Sequence, residues 1–333
     1  MFGKRTISML LTLMLLILSV LPLIANGSSE KGDGSYRLNV GTVLTEKDPL
    51  YEGLQLFKKN VEERTGGAVT IRLFASAQLG KDEDVLEQAK VGTDVGIITD
   101  PGRLSAYISD FGILGAPYLV ADYDESLKLL NTSVFKDLAD QFAKDGLKIL
   151  AFNYYQGTRH LFTNKPIRTP DDLSGQRIRS SGSEIVTATV KNMGANPTVI
   201  PWSDAYTGLQ QKVIDGVEVH YSAALGASIY EVTKYLSKTA HFQLLTGMVV
   251  SNKWFESLPA EYQAIVEEEA YNGGKYASEQ VVAKEKEFEK SLVSKGLEIV
   301  DCDVAAFRKA AENTYDAVGY RALKDQIDAD LGR

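Results

Sequence analysis

The sequence predicts an α/β fold in which two units follow one another along the chain, each an open and mostly parallel sheet with helices. Three observations carry that prediction. Val69, Ile71 and Leu73 alternate with other residues at the period of a strand, whereas Leu54, Phe57 and Val61 recur at the spacing of one helix face. Between residues 38 and 98 such signals come in the order β-α-β-α-β, and a crossover between strands is what parallel pairing needs. After Gly146 the same order begins again, without a repeat of sequence.

Residues 38–43 are the first strand candidate. Asp48 and Pro49 supply an N-cap and a first-turn proline for the helix that follows, which Gly66 and Gly67 end. Residues 69–74 read as a strand, 82–91 as a helix and 95–98 as a strand. Thr99, Asp100 and Arg103 come next, where open sheets place ligands, beyond the carboxyl ends of strands. The second unit opens with a strand at 148–152, followed by a strand at 176–179, a helix at 184–193 and a strand at 198–200. A helix is predicted over 203–214, capped by Ser203 and with Ala205, Leu209 and Val213 on one side, then a strand over 217–220. The remainder reads as helical: 260–283 continuing to 294, with Gly273 and Gly274 as a kink, then 303–327. A helix of that length spans both units.

The first residues stand apart from this fold. Lys4 and Arg5 precede an apolar run at 9–20, then Pro22 and the small residues Ala25, Asn26 and Gly27, the order of a cleavable export signal. Residues 1–27 are therefore expected to be a signal peptide, and the rest to act in a bacterial periplasm. Asn26 stands where a lipoprotein signal carries its cysteine. The only cysteine is Cys302, which excludes that anchor, an intramolecular disulfide and a thiolate metal cluster. Lys4 and Arg5 are the only charges among residues 1–27, so cleavage takes the 36 basic residues to 34 and the net charge from −8 to −10. An acidic surface of this kind argues against nucleic acid or an anionic membrane as partner.

The chemistry concentrates in G-T-R at 157–159, D-L-S-G-Q-R-I-R at 172–179 and D-G-V-E at 215–218. Arg159 and Arg179 each follow a predicted strand or turn, with no nucleophile–base pair nearby. A planar guanidinium offers two parallel N–H donors to the two oxygens of a carboxylate. On composition alone, pairing with Asp171 or Asp172 at the surface accounts for them equally well; their strand-end positions favour a ligand. Glu218 reads as a buried partner that holds an arginine in place, as buried carboxylates usually do. Among the aromatics, Trp202 and Tyr221 are assigned to a pocket, while Tyr154, Tyr155 and Tyr206 read as core. His160, His220 and His241 lack metal-ligand spacing and read as structural, His220 being singled out by its place beside Glu218. No cofactor fingerprint is present, so no cofactor and no metal are expected.

Taken in order, a longer series of motifs resembles a known family. They are F-K-K-N-V-E-E-R-T-G-G at 57–67, Q-L-G at 78–80, G-A-P-Y-L at 115–119, G-T-R-H-L-F-T-N-K-P-I at 157–167 and D-L-S-G-Q-R-I-R. M-G-A-N-P-T at 193–198, S-D-A-Y-T-G-L-Q-Q at 203–211, D-G-V-E and Y-E-V-T-K-Y-L at 230–236 follow. Their order and spacing, from about residue 38 to the end, resemble the substrate-binding subunit of tripartite ATP-independent periplasmic (TRAP) transporters, of the dicarboxylate-uptake type. The resemblance implies a two-lobed periplasmic binding protein fold, with a mixed, mostly parallel sheet in each lobe and a long lobe-spanning helix. It divides the chain into lobe I, residues 36–156 plus about 246–285, and lobe II, residues 157–245 plus about 286–333.

The same resemblance implies that Arg179 makes the bidentate pair with a substrate carboxylate and that Arg159 assists. Asp100 and Arg103 match positions of further polar contacts, Trp202 an aromatic packed on the ligand, and Glu218 the glutamate of D-G-x-E. Val219 and His220 depart from the pattern, standing where many sugar-acid and dicarboxylate binders have the asparagine and proline of D-G-Q-E-N-P. Val43 likewise replaces a polar contact of sialic-acid binders. With two amide contacts missing, a less hydroxylated monocarboxylate or 2-oxo acid is favoured, since a buried hydroxyl needs partners. The expected protein is a monomeric periplasmic receptor that passes a small organic acid to TRAP permease subunits. Its rivals are a ligand-sensing ectodomain for a signalling partner and a secreted enzyme using Glu218 and His220. The enzyme suffers from geometry, because adjacent strand residues point to opposite faces.

Overall fold

Residues 36–333 are described by the structure, a computed structural model; the predicted export signal at 1–27 lies outside the described residues. β1 (Tyr36–Gly41) leads to Asp48, whose carboxylate accepts from the Leu50 amide at 2.9 Å and caps α1 (Pro49–Arg64). Pro49 takes the first turn, where its missing N–H costs nothing. Leu50, Leu54, Phe57 and Val61 recur on one helix face and are all buried. β2 (Val69–Phe74), α2 (Asp82–Lys90) and β3 (Val95–Thr99) complete the first half, with β1 parallel to both β2 and β3. Asp100 then caps the short α3 (Pro101–Leu104), and α4 (Tyr123–Leu129) and α5 (Ser133–Ala139) precede β4 (Leu147–Thr163).

The second half repeats the plan. β5 (Arg177–Ser180), α6 (Glu184–Asn192), β6 (Asn196–Val199), α7 (Ala205–Gln210) and β7 (Gly216–Val219) follow, with β5 parallel to β6 and β7. α8 (Tyr221–Gly226) leads to β8 (Tyr235–Ser251), then α9 (Asn252–Ser257) and α10 (Ala260–Ser294). β9 (Glu298–Val300), α11 (Val304–Ala317) and α12 (Arg321–Asp330) end the chain. The two parallel sets belong to one sheet of order β2-β1-β3-β8-β4-β7-β5-β6, with β9 added on β8. The 17-residue strands β4 and β8, antiparallel to each other, join the halves. Helices cover both faces, so β8 is buried on each: Met248 and Val250 pack in the core with Phe57 and Val266, Val249 in the core with Phe111 and Tyr315.

Three sequence expectations change. The helix predicted over 203–214 is a single turn at Trp202–Asp204 followed by α7, without a side-chain cap from Ser203. Lys212 takes a left-handed conformation (φ 58°) after it, and Ile214, not Val213, turns inward. Gly273 and Gly274 do not break α10, which runs unbroken for 35 residues. They admit neighbours instead: a Cβ on Gly53 of α1 would stand 2.5 Å from the Gly273 carbonyl oxygen, and Gly274 packs on Asn153 and Tyr154 of β4. Finally, the helix read over 303–327 is two helices parted at Gly319 (φ 75°). α12 reaches back onto α5, where Asp330 accepts from the Ser133 amide at 2.7 Å, and Arg333 pairs with Glu125 at 2.9 Å.

Candidate functional site

The set with β1 and β3 and the set with β5 and β7 run in opposite senses on opposite halves of the β4–β8 ladder, so the carboxyl ends of the two sets face each other, where open sheets place ligands. Thr42 follows β1, Thr99 and Asp100 close β3, Arg179 lies on β5, and Val219 and His220 end β7. These residues, with Arg103, Arg159, Trp202, Gln156 and Leu244, line a cavity. A second cavity shares Asp100, Arg103, Arg159, Arg179 and Leu244 with it, so the three arginines line both spaces.

The three arginines differ in what holds them. Arg159, on β4, donates through Nε and Nη2 to the Glu218 carboxylate and through Nη2 to the Glu218 carbonyl at 2.7 Å. Glu218 is 1% exposed, and His241 Nε2 lies 3.8 Å from it. Burial pushes that carboxyl up, but the charge of Arg159, its hydrogen bonds and the nearby His241 ring together outweigh it and hold the pKa at about 2. Arg103 is gripped by Asp100, by Glu83 at 2.9 Å and by Asp82 at 3.5 Å. Burial opposes its charge, yet these carboxylates raise its pKa. Asp82 itself is pushed up to about 6, mainly by burial, with Arg103 pulling the other way.

Arg179 is the exception. It is 3% exposed, its Nε donates to the Ile200 carbonyl at 2.9 Å, and its guanidinium carbon lies 5.7 Å from the centre of the Trp202 ring. Among the described residues it has no carboxylate partner within ion-pair distance, and its Nη2 meets no acceptor. Burial and the nearby charge of Arg103 pull its pKa down to about 10, which still leaves it cationic at neutral pH.

Of the residues singled out in the sequence, Arg179, Arg159, Asp100, Arg103, Trp202, Val219 and His220 all line the first cavity, and Glu218 lines the second. Val43, noted as a departure, lines the first as well. Tyr221 lies elsewhere: its hydroxyl donates to Glu289 of α10 at 2.9 Å, and its ring stacks on His160 at 5.0 Å between centres. Thr42, Asp82, Gln156 and Leu244 were missed. Thr42 obeys the strand-end rule that selected Thr99. Gln156 and Leu244 sit in the middle of β4 and β8, whose length was not read. Among the described residues no cluster of three or more His, Cys, Asp or Glu is placed to hold a metal ion.

Comparison with known proteins adds to this geometry. The family described as bacterial extracellular solute-binding protein, family 7, matches residues 40–321. The 2,3-diketo-L-gulonate-binding periplasmic protein YiaO of Escherichia coli K12 is 28% identical over 278 residues, 83% of this chain and 84% of its own length. A TRAP periplasmic solute-binding protein from Ochrobacterium anthropi, solved with bound L-fuconate, is 34% identical and superposes with a TM-score of 0.86 over 89% of this chain and 99% of its own. An apo open structure of another, from Escherichia fergusonii, is 38% identical with a TM-score of 0.78 over 88% and 99%.

Proposed function

Because this chain belongs to bacterial extracellular solute-binding protein family 7, the family of TRAP solute receptors, we propose that it captures a small organic acid at Arg179 and hands it to a membrane permease. It is a receptor and not an enzyme, as its relatives are. The observation that carries the proposal is the contrast among the arginines. Arg159 and Arg103 already hold carboxylates, while buried Arg179, which lines the same cavity, holds none. A buried charge without a counter-ion is costly, and a carboxylate offers a charge-assisted, two-point match that offsets the cost. The Trp202 ring beside it adds a cation–π contact.

Export to the periplasm, action as a monomer and closure of two lobes on the ligand complete the proposal. The better superposition on the L-fuconate complex than on the open, ligand-free relative of higher identity supports a closed arrangement here. Closure strengthens the ion pair as water leaves and the local dielectric falls. A ligand holds the closed form only to the extent that it binds that form better than the open one.

Calorimetry against L-fuconate, L-galactonate, D-glucuronate, 2,3-diketo-L-gulonate, succinate and sn-glycerol 3-phosphate tests the anchor, with Arg179→Ala and Arg179→Lys alongside. Breaking a buried charge pair costs about 3–5 kcal/mol, so the acid that binds loses at least about a hundredfold in affinity in the alanine variant. Lysine restores little, because it lacks the planar fork. Unchanged affinity in both variants removes Arg179 as anchor. Loss of uptake in cells lacking the protein separates transport from ligand sensing.

A further inference from the structure

We propose that Gly102 sets how far the two halves of the molecule close on a ligand, because its missing side chain lets Ser183 of the opposite half seat against α3. The inference rests on the receptor reading above, in which closure holds the ligand, and names the contact that limits closure.

Gly102 is the second residue of α3, in the first half, and Ser183 stands at the head of α6, in the second. A Cβ on Gly102 would lie 2.1 Å from the Ser183 Oγ and 2.6 Å from the Ser183 Cβ. Non-bonded carbons rest at about 3.5–4.0 Å. Even with the hydroxyl swung aside, the two segments therefore have to part by about an ångström. The φ of Gly102 is not positive, so its backbone does not call for glycine; the close approach does. Both residues are buried, and among the described residues the Ser183 Oγ has no hydrogen-bond partner. The contact is thus one of shape alone. Gly102 also lines the second cavity with Arg103, Arg159 and Arg179, so this seam is part of the wall around the arginines.

A milder form of the same contact recurs elsewhere along the seam. A Cβ on Gly226, the last residue of α8 in the second half, would lie 3.0 Å from the Thr45 Oγ1 in the first. Gly226 and Thr45 line a space that shares Trp202 and Ala223 with the first cavity. There the nearest atom is a hydroxyl that can turn away, so Gly102 is the stricter of the two. A side chain at position 102 holds the cavity ajar and leaves the ion pair at Arg179 in wetter surroundings, where it is weaker. The penalty falls on closure and not on any one ligand, so all acids that bind lose by the same factor.

The test uses calorimetry on the full mature chain with the acids named under the proposed function. Gly102→Ala is expected to weaken each acid that binds by about tenfold or more, by a common factor, as overpacking at a closing contact does. The urea midpoint without ligand stays unchanged, because the open form does not make the contact. Adding Ser183→Gly to Gly102→Ala gives back the room and restores most of the affinity. The Ser183 side chain caps nothing in α6, and glycine is tolerated at a cap position, so the second change costs little of its own. It does not relieve the Asp100 carboxylate, 3.1 Å from the new Cβ within the first half, so recovery assigns the loss to the seam. Gly182→Ala is the control: the nearest atom to its Cβ is 3.9 Å away, and affinity is unchanged. Full affinity in Gly102→Ala overturns the inference, as does a loss that Ser183→Gly fails to relieve. An equal loss of stability without ligand overturns it too, since the contact then belongs to the fixed fold. If Arg179→Ala removes binding while Gly102→Ala keeps it, this inference falls and the receptor reading stands. If Arg179→Ala changes nothing while Gly102→Ala and its relief behave as expected, the anchor falls and the closure contact stands. A native protein that binds none of the acids overturns both.

Discussion

Replacing Gly53 by alanine sets two effects against each other, and the structure decides which wins. In an open helix the change stabilises by about 1 kcal/mol, because alanine loses less backbone freedom than glycine. Gly53, however, lies where α1 meets α10. Its new Cβ would stand 2.5 Å from the Gly273 carbonyl oxygen and 2.7 Å from the Ala277 Cβ. An unstrained carbon–oxygen contact is about 3.3–3.6 Å, so the helices have to part by almost an ångström. Neither obstacle is the free end of a long side chain that can swing away. Parting them loosens Leu54 and Phe57, both fully buried on the same helix. Overpacking of this kind costs roughly 1–3 kcal/mol, and two simultaneous clashes place it at the upper end. The net expectation is destabilisation by ~1–2 kcal/mol. Urea unfolding followed by circular dichroism measures it as a lower midpoint at unchanged slope. A midpoint at or above that of the native protein refutes the argument. Gly66→Ala is the control: its φ is 60° and no atom lies within 4 Å of a built Cβ, so its cost is backbone strain alone and does not depend on α10.

Two further outcomes are expected. The Glu218 carboxyl sits at about 2, against an ordinary 4.5, so its contribution is complete above pH 4.5 and is lost as pH falls from there towards 2. That difference corresponds to about 3 kcal/mol; Glu218→Gln should therefore show a flatter fall in urea stability across this window, and parallel profiles would remove the buried pair as its cause. Trp202→Ala should weaken binding of the captured acid by about tenfold through loss of the cation–π contact, while the urea midpoint stays nearly unchanged because the residue is only partly buried; an equal loss in both would mean that the ring holds the fold and not the ligand.

What could be read from the sequence follows from how each element is buried. α1, β2 and α2 present one apolar face each, so their periods are clear and their limits fall within a residue of prediction. β8 was missed and β4 was read at less than a third of its length. Both are covered on two sides, which removes the alternation of a half-exposed strand. Their pairing also carries register shifts, and β8 contains polar residues: Thr239 and His241, which bond to each other, and Gln243 and Thr246, which donate to the distant carbonyls of Ala121 and Tyr154. The site divides along the same line. Arg179, Asp100 and Val219 were visible because short parallel strands announce their own ends. Gln156 and Leu244 were hidden because they lie within the long strands. Tyr221 was drawn to the site by its neighbours in sequence, but it opens α8 and its hydroxyl turns to α10.

The ladder between β4 and β8 is interrupted four times between Ile149 and Leu161. Every such interruption leaves a residue off its rung, bends the strand and increases its local twist. Two of the four flank the segment from Gly157, held at φ 117°, to Arg159. β4 and β8 bridge the two parallel sets of strands, so the bends in this stretch set how one set is turned against the other. The broken stretch of the ladder therefore includes the arginine that clasps Glu218, so bend and clamp share one length of backbone.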